Sequence, residues 1–227
     1  MRRIVIPLIF GLAGTAVLIG LGIWQLQRLA WKEAVLADID ARIAAAPLAL
    51  PETPEPGADR YLPVEVTGTI GGAPLRVLVS RKGVGAGYRL IVPLDTGARR
   101  VMADLGFVRA DAALPDLPEE LVTVTGNLHW PDDRTSSIPD NDVAGNIWFA
   151  RDIAQMAGVL GTEPILVVVR NMSESVPGLT PMPVDSSAIP NDHLGYAVTW
   201  FSLAVIWLIM TGYFLVRTTR APKGSQT

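Results

Sequence analysis

IVIPLIFGLAGTAVLIGLGIWQL, from Ile4 to Leu26, holds no charged side chain. As a helix rising 1.5 Å per residue it extends about 33 Å, enough for a hydrocarbon core of about 30 Å. A signal peptide would have a shorter apolar region, about 7–15 residues, leading to a small-residue cleavage site. Here the run leads into Trp24, Gln25 and Arg28, which reads as an uncleaved anchor. A second run, LGYAVTWFSLAVIWLIMTGYFLV from Leu194 to Val216, is also uncharged. One charge at the bilayer centre costs about 2.5–3.5 kcal/mol on insertion scales, so both runs qualify as spans.

The flanking charges set the expected orientation. Arg2 and Arg3 precede the first run, and Arg217, Arg220 and Lys223 follow the second. Arg28 and Lys32 weaken the vote at the first span, whereas Asn191 and Asp192 flank the far end of the second. The positive-inside rule places residues 1–3 and 217–227 in the cytoplasm. With spans at 4–26 and 194–216, residues 27–193 form an extracytoplasmic domain. No Arg- and Ser-rich transit segment precedes the first span. The expected location is a bacterial inner membrane, multi-pass, with both termini cytoplasmic and the main domain periplasmic.

Composition excludes several classes. Apolar residues make up 49% of the chain and charged residues 18%, with a mean hydropathy of +0.33. The apolar excess lies at the two ends. A net charge of -3 gives no basic footprint, so nucleic acid is not an expected partner. Cysteine is absent, which rules out disulfides, thiolate zinc sites, iron–sulfur clusters and covalent c-type heme attachment.

Between the spans the pattern changes twice. Leu29, Leu36, Ile39 and Ile43 continue a helical spacing, Asp38 and Arg42 form an i,i+4 pair, and Pro47 ends the helix. Pro51, Pro54 and Pro56 make a stiff linker. Strand alternation follows at Leu62, Val64 and Val66, and again at Leu75, Val77 and Val79 across a Gly71-Gly72 turn. Gly83, Gly85 and Gly87 read as a loop before a strand at Tyr88–Leu94, which a hairpin joins to Arg99–Leu105. A strand at Val122–Thr125 precedes a polar loop, Pro131 to Gly145. Arg151–Leu160 reads as a short helix closed by Gly161, and Ile165–Val169 as a central strand. The last loop, Met172 to Pro190, returns to the membrane. The expected fold is therefore a membrane protein: two transmembrane α-helices, N- and C-terminal, flanking an antiparallel β-rich α+β extracytoplasmic domain.

Catalytic signatures are missing: no Gly-x-Ser-x-Gly, no phosphate loop and no His-Glu-x-x-His. The acid pairs Glu119/Glu120 and Asp132/Asp133 fall in proline-flanked loops and read as solvated turns. Of two histidines, His129 ends a strand beside Trp130, a place for surface or loop packing. His193 stands where the second span begins. His193, Tyr196 and Trp200 are spaced 0, +3 and +7 and share a helical face. Trp24, Gln25 and Arg28 end the first span at the same expected depth. Two readings are open. An interfacial belt accounts for the aromatic residues and Arg28 without any ligand. A porphyrin site would use His193 as axial iron ligand, the aromatic side chains against the ring and Arg28 near a propionate.

Leu21-Gly22-Ile23-Trp24-Gln25-Leu26-Gln27-Arg28, followed by Trp31-Lys32, resembles the opening signature of the Surfeit-locus family of cytochrome c oxidase assembly factors. The similarity continues through Tyr61, Gly68, Arg81, Gly87-Tyr88 and Pro93-Leu94, then Asn146, Trp148 and Asp152. It ends with Asn191-Asp192-His193-Leu194-Gly195-Tyr196-Ala197-Val198-Thr199-Trp200-Phe201, similar to the family's Asn-x-His-x-x-Tyr-Ala-x-Thr-Trp-Phe signature. One stretch departs: where the family has Asn-Arg-Gly-Trp-Val, this chain has Ala103-Asp104-Leu105-Gly106-Phe107-Val108, which keeps the Gly, an aromatic and the Val but loses the Asn and Arg.

The resemblance implies an assembly factor for a heme-copper terminal oxidase, which binds heme a and assists its insertion into the large catalytic subunit. The family's heme-linked histidine corresponds to His193, with Tyr196, Trp200, Trp24, Gln25 and Arg28 around it. The implied cargo is heme a, held transiently and without covalent attachment. The implied partners are the oxidase catalytic subunit, heme A synthase and membrane lipid. No enzymatic activity is implied. The alternative is a heme-free membrane scaffold that holds an oxidase subunit during assembly; an anchored hydrolase or transferase finds no nucleophile–base pair.

Overall fold

The computed structural model describes residues 2–187 and 189–220, with the backbone alone for Arg2, Arg3 and Arg220. Lys223 and the rest of the tail, 221–227, lie outside the described residues, as does Met1. Of the basic residues that set the expected orientation beyond the two ends, only Arg217 has a described side chain. The elements in chain order are α1 (Arg2–Ala44), β1 (Leu48–Ala49), β2 (Pro63–Ile70), β3 (Leu75–Arg81), β4 (Gly85–Asp95), β5 (Arg100–Arg109), β6 (Leu121–Leu128), α2 (Ile153–Leu160), β7 (Leu166–Met172) and α3 (His193–Arg220). They fall into two compact units: Met1–Asp38 with Ser187–Thr227, and Ile39–Ser186.

The first unit is a helix pair. Ile4–Ala44 and His193–Thr219 are long and apolar enough to cross a membrane, with mean hydropathies of 2.5 and 1.8 over their most apolar stretches. Their large side chains are exposed, among them Phe10, Val17, Ile209 and Tyr213, so they are not core helices of a soluble protein. The two helices approach through small residues. A Cβ on Gly11 would fall 2.1 Å from Thr211, one on Gly14 2.5 Å from Trp207, and one on Gly22 2.6 Å from Phe201. The partner numbers fall as the glycine numbers rise, so the helices are antiparallel. Trp207 Nε1 donates to the Gly11 carbonyl at 3.0 Å, and Thr15 Oγ1 donates to the same oxygen at 2.9 Å. Ala197 and Ala204 are buried on the α3 side of the seam. Close backbone approach through small residues is how helices gain dispersion energy where no hydrophobic effect drives them together.

The second unit is a closed barrel. β2 pairs antiparallel with β6, β6 antiparallel with β7, β7 parallel with β5, and β5 antiparallel with β4. β4 returns to β2 through Thr69–Asp95 and Ile70–Leu94, which closes a ring of five strands. β1 lies parallel against the start of β2, and β3 extends β4 outside the ring. Alternate residues point inward, including Val64, Val66, Leu94, Leu105, Val124 and Val167, and they form the barrel core. The opposite faces of β4, β5 and β7 supply Ile91, Met102, Leu166 and Val168, which are covered by Trp148 and by Met156 and Ala157 of α2. β7 is thus buried on both faces, which is why it reads as an unbroken apolar run.

The β-rich α+β domain expected between the spans is present, with most pairings antiparallel. Two pairings are parallel instead, β1–β2 and β5–β7. The long polar loop and α2 carry the chain back across the sheet, and β7 then inserts beside β5 in the same direction. Asp152 caps α2 by accepting from the Gln155 N–H at 3.0 Å, and Gly161 closes it in the left-handed conformation. The expected glycine loop is shorter than its composition suggests, because Gly85 and Gly87 already belong to β4. Arg42 reaches the carbonyl of Ala58 instead of pairing with Asp38 one turn earlier.

Gly68 sits at the seam where the ring closes. A Cβ there would fall 2.5 Å from the Asp95 carbonyl oxygen of β4, a backbone atom that cannot rotate away. Gly71, the residue after the seam pairing, has open space around its Cβ position. Gly68→Ala should therefore destabilise the barrel by about 1–3 kcal/mol, the usual cost of overpacking. Gly71→Ala should leave it within about 0.5 kcal/mol of wild type. Thermal unfolding in detergent, followed by circular dichroism, would measure both; equal melting curves for the two variants would refute the tight seam.

Candidate functional site

The antiparallel register of α1 and α3 continues past the Gly22–Phe201 contact, three residues along α1 and eight back along α3, and brings Gln25 to His193. His193 is the first residue of α3, and its Nδ1 lies 2.8 Å from Oε1 of Gln25. Gln25 is buried and His193 half-buried. Trp200, two turns along α3, is half-buried as well. Trp24 is 50% exposed and Tyr196 57% exposed, so both rings face outward. Arg28 is exposed and places its guanidinium 4.9 Å from the Trp31 ring centroid. Of the six residues expected around a ligand, the structure puts His193 and Gln25 in direct contact. The other four lie near them on the same two helices, with Arg28 turned to Trp31. Among the described residues no three His, Asp or Glu side chains are grouped to hold a metal ion, so any metal here would rest on single imidazole donors.

The barrel unit carries a second polar cluster. Asp104 of β5 is fully buried, its Oδ2 2.7 Å from Arg89 Nε and 4.0 Å from an Arg151 nitrogen. Arg151 in turn binds Asp133, with Nε–Oδ2 at 2.7 Å and NH2–Oδ1 at 3.1 Å. Arg89 also donates to the Met182 carbonyl at 2.7 Å, tying the last loop to β4. Asp133 is therefore one arm of a chelated ion pair and not a solvated turn residue. Burial pulls its carboxyl upward, but the Arg151 fork outweighs that and holds it below the ordinary carboxylate range. Sequence reasoning missed this cluster. Its signal was Asp104 itself, a carboxylate between Ala103 and Leu105 in a strand too apolar to hold it unpaired.

His129 lies beside these charges. Its ring stacks on Tyr61 at 5.6 Å between centroids and 23° between planes, and its Nδ1 is buried without a hydrogen-bond partner. Tyr61 adopts a φ of +69°, unusual for a bulky residue. Its N–H donates to the Leu128 carbonyl at 2.8 Å, and its carbonyl accepts from Asn127 Nδ2 at 2.9 Å. Asn127 is fully buried, and the same amide group donates to Ile43 at the end of α1 at 3.0 Å. His129 thus has the packing role expected of it.

The class is a small closed barrel flanked by two candidate membrane spans at the ends of the chain. The family profile described as the SURF1 family matches residues 12–205. The chain is 28% identical over 210 residues to the human Surfeit locus protein 1, a match that covers 82% of this chain and 69% of that protein. It is 29% identical over 209 residues to the SURF1-like protein of Rickettsia felis, covering 86% and 90%. Against the SURF1-like protein of Monosiga brevicollis it is 30% identical over 213 residues, covering 84% and 80%. The chain belongs to the SURF1 family, a family of oxidase assembly factors.

Burial pushes the His129 imidazole down from its ordinary 6.5 to about 4, helped by the positive charges of Arg151 and Arg60. The unfolded chain takes up a proton through pH 6.5 that the folded chain refuses until about pH 4. This contribution to stability is complete above pH 6.5 and is lost as pH falls toward 4. His129→Phe keeps a ring against Tyr61 and has nothing to protonate. Its melting temperature should vary less than that of wild type between pH 6.5 and 4; parallel pH curves for the two proteins would refute the buried neutral imidazole.

Proposed function

We propose that this protein is a membrane-anchored carrier of heme a that serves the assembly of a heme-copper oxidase and hands its cargo to the large catalytic subunit. The observation that carries the reading is the meeting of His193 and Gln25 across the α1–α3 seam, 2.8 Å apart. The chemistry of the donor set fits such a cargo. Heme a is a large apolar macrocycle with two propionates and an iron that takes a nitrogen ligand. His193 would supply that ligand. The outward rings of Trp24 and Tyr196, with Trp200 behind them, would offer apolar surface. Arg28, whose planar fork matches carboxylates, would answer a propionate. Without cysteine no thioether bond to the porphyrin can form, so the attachment is exchangeable, as handover requires.

In this reading the protein binds and transfers without catalysis. Its partners are the oxidase catalytic subunit, heme A synthase as the source of cargo, and membrane lipid. Residues 4–26 and 194–216 cross a bacterial inner membrane, 1–3 and 217–227 are cytoplasmic, and 27–193 are periplasmic. The basic residues at the two ends and the acidic start of the second span support that orientation.

Absorption spectra test the cargo. Wild type and His193→Ala, co-expressed with heme a biosynthesis and purified in detergent, should differ by a heme a band present only in wild type. A band that persists in the variant would move the ligand elsewhere, with His129 next in line. No heme in well-folded wild type would overturn the carrier reading in favour of a heme-free scaffold.

Topology is tested separately. The chain has no cysteine, so Ser136→Cys in the exposed loop after β6 creates a single thiol. An impermeant maleimide should label it in intact spheroplasts. Labelling only after lysis would place the domain in the cytoplasm.

A further inference from the structure

We infer that Gln25 fixes the tautomer of His193, so that Nδ1 carries the ring proton and Nε2 presents its lone pair outward as the ligand atom. The inference rests on the carrier reading for the identity of the metal, but not for the tautomer. It starts from one contact, Nδ1 to Oε1 at 2.8 Å. An amide oxygen can only accept, so the ring nitrogen facing it must donate. In a neutral imidazole the other nitrogen is then bare. Among the described residues Nδ1 makes the ring's hydrogen bond, and Nε2 is left for a ligand.

Packing holds the amide in place. Gln25 is buried and stands three residues after Gly22, where α3 comes close enough that a Cβ would strike the Phe201 ring. A buried amide oxygen without a donor would be left unsatisfied, so the contact orders both side chains. Gln25 is thus a positioning residue. It acts on the iron through His193, as the hydrogen-bond partners of metal-bound histidines do elsewhere. The choice of an amide also matters. A carboxylate at this place would push more electron density into the imidazole and tighten its bond to a metal. A neutral amide orients the ring and leaves it a weaker donor, a property suited to a ligand that must release its cargo.

The test begins with the unloaded protein in detergent, labelled with 15N in its histidines. The chain has two histidines, so the His193 signals are those lost in His193→Ala. At mildly alkaline pH wild type should show protonated Nδ1 and bare Nε2. Gln25→Leu should relax toward the Nε2–H tautomer that a free histidine side chain prefers. Gln25→Glu, which retains an acceptor, should keep the wild-type tautomer. It also controls for folding, together with circular dichroism of both variants. With heme a loaded, Gln25→Leu should lose about 10–100-fold in affinity. Gln25→Glu should bind at least as tightly as wild type and lower the reduction potential of the bound heme.

A wild-type His193 in the Nε2–H form would overturn the inference, because the amide nitrogen would then face the ring. So would a Gln25→Leu variant with unchanged tautomer and affinity; the carrier reading would survive both results. The wild-type tautomer found as expected, and lost in Gln25→Leu, but with no heme bound by wild type, would sink the carrier reading and leave the tautomer assignment standing.

Discussion

Close approach of α1 and α3 is the constraint on which the candidate site depends. Lipid tails are as apolar as leucine, so two helices in a bilayer would gain little by hiding apolar side chains from lipid. What they gain is contact between atoms, and contact needs small residues. Gly11, Gly14 and Gly22 face Thr211, Trp207 and Phe201, each glycine receiving a larger side chain. Such pairing fixes the axial register as well as the distance. A shift by one residue, about 1.5 Å along the axis, would drive the Trp207 ring off Gly14 and separate its Nε1 from the Gly11 carbonyl. The position of Gln25 against His193 follows from that register.

In the barrel a different constraint operates. Five strands close only if every edge finds a partner, and the shortest join, β2 to β4, has two residue pairs. Gly68 permits it. Outside the ring, Asp104 shows how this chain accommodates its departure from the family pattern at Ala103–Val108. A fully buried carboxylate is tolerable only when paired and hydrogen-bonded. Arg89 and Arg151 pair it, and its Oδ1 accepts from the Gly106 N–H at 3.1 Å. Arg89 passes the constraint on to the Met182 carbonyl, and Phe107 and Thr180 exchange two backbone bonds at 2.7 and 2.9 Å. The last loop is therefore strapped along β5. A glycine at 106 leaves room for it, since a Cβ there would fall 2.3 Å from the Thr180 carbonyl oxygen.

Periodicity made much of this legible. The two long apolar helices, the strand alternation at Val64–Val66 and Leu75–Val77, and the close of α2 at Gly161 are local signals, and they stand where the sequence puts them, while α2 starts at Ile153 behind its cap Asp152 and not at Arg151. Local signals end where pairing begins. Nothing in residues 68–70 or 94–95 announces that β2 and β4 will meet, because closure depends on the twist and stagger of the whole ring. The insertion of β7 beside β5 is equally non-local. Charges were read least well. Asp133 and Arg42 find partners eighteen and sixteen residues away, across loops whose path no short-range rule gives. At the inner ends of the two apolar runs, equal depth could be read from their lengths. That Gln25, and not Trp24 or Arg28, faces His193 required the rotation of each helix, which the glycines set.

The glutamine–histidine contact also joins two properties that are usually separate. A buried amide at the seam of two apolar helices is costly unless its oxygen finds a donor. His193 is that donor, and it can serve only while α1 and α3 keep their register. The imidazole, for its part, has a fixed direction only while Gln25 holds Nδ1. Ring orientation and helix packing therefore form a single equilibrium. A displacement that parts the helices near Gly22 leaves the amide unsatisfied and frees the ring to turn. A partner that wedges into this seam would act on the His193 ring without touching it, because the hydrogen bond at 2.8 Å links helix position to ring position.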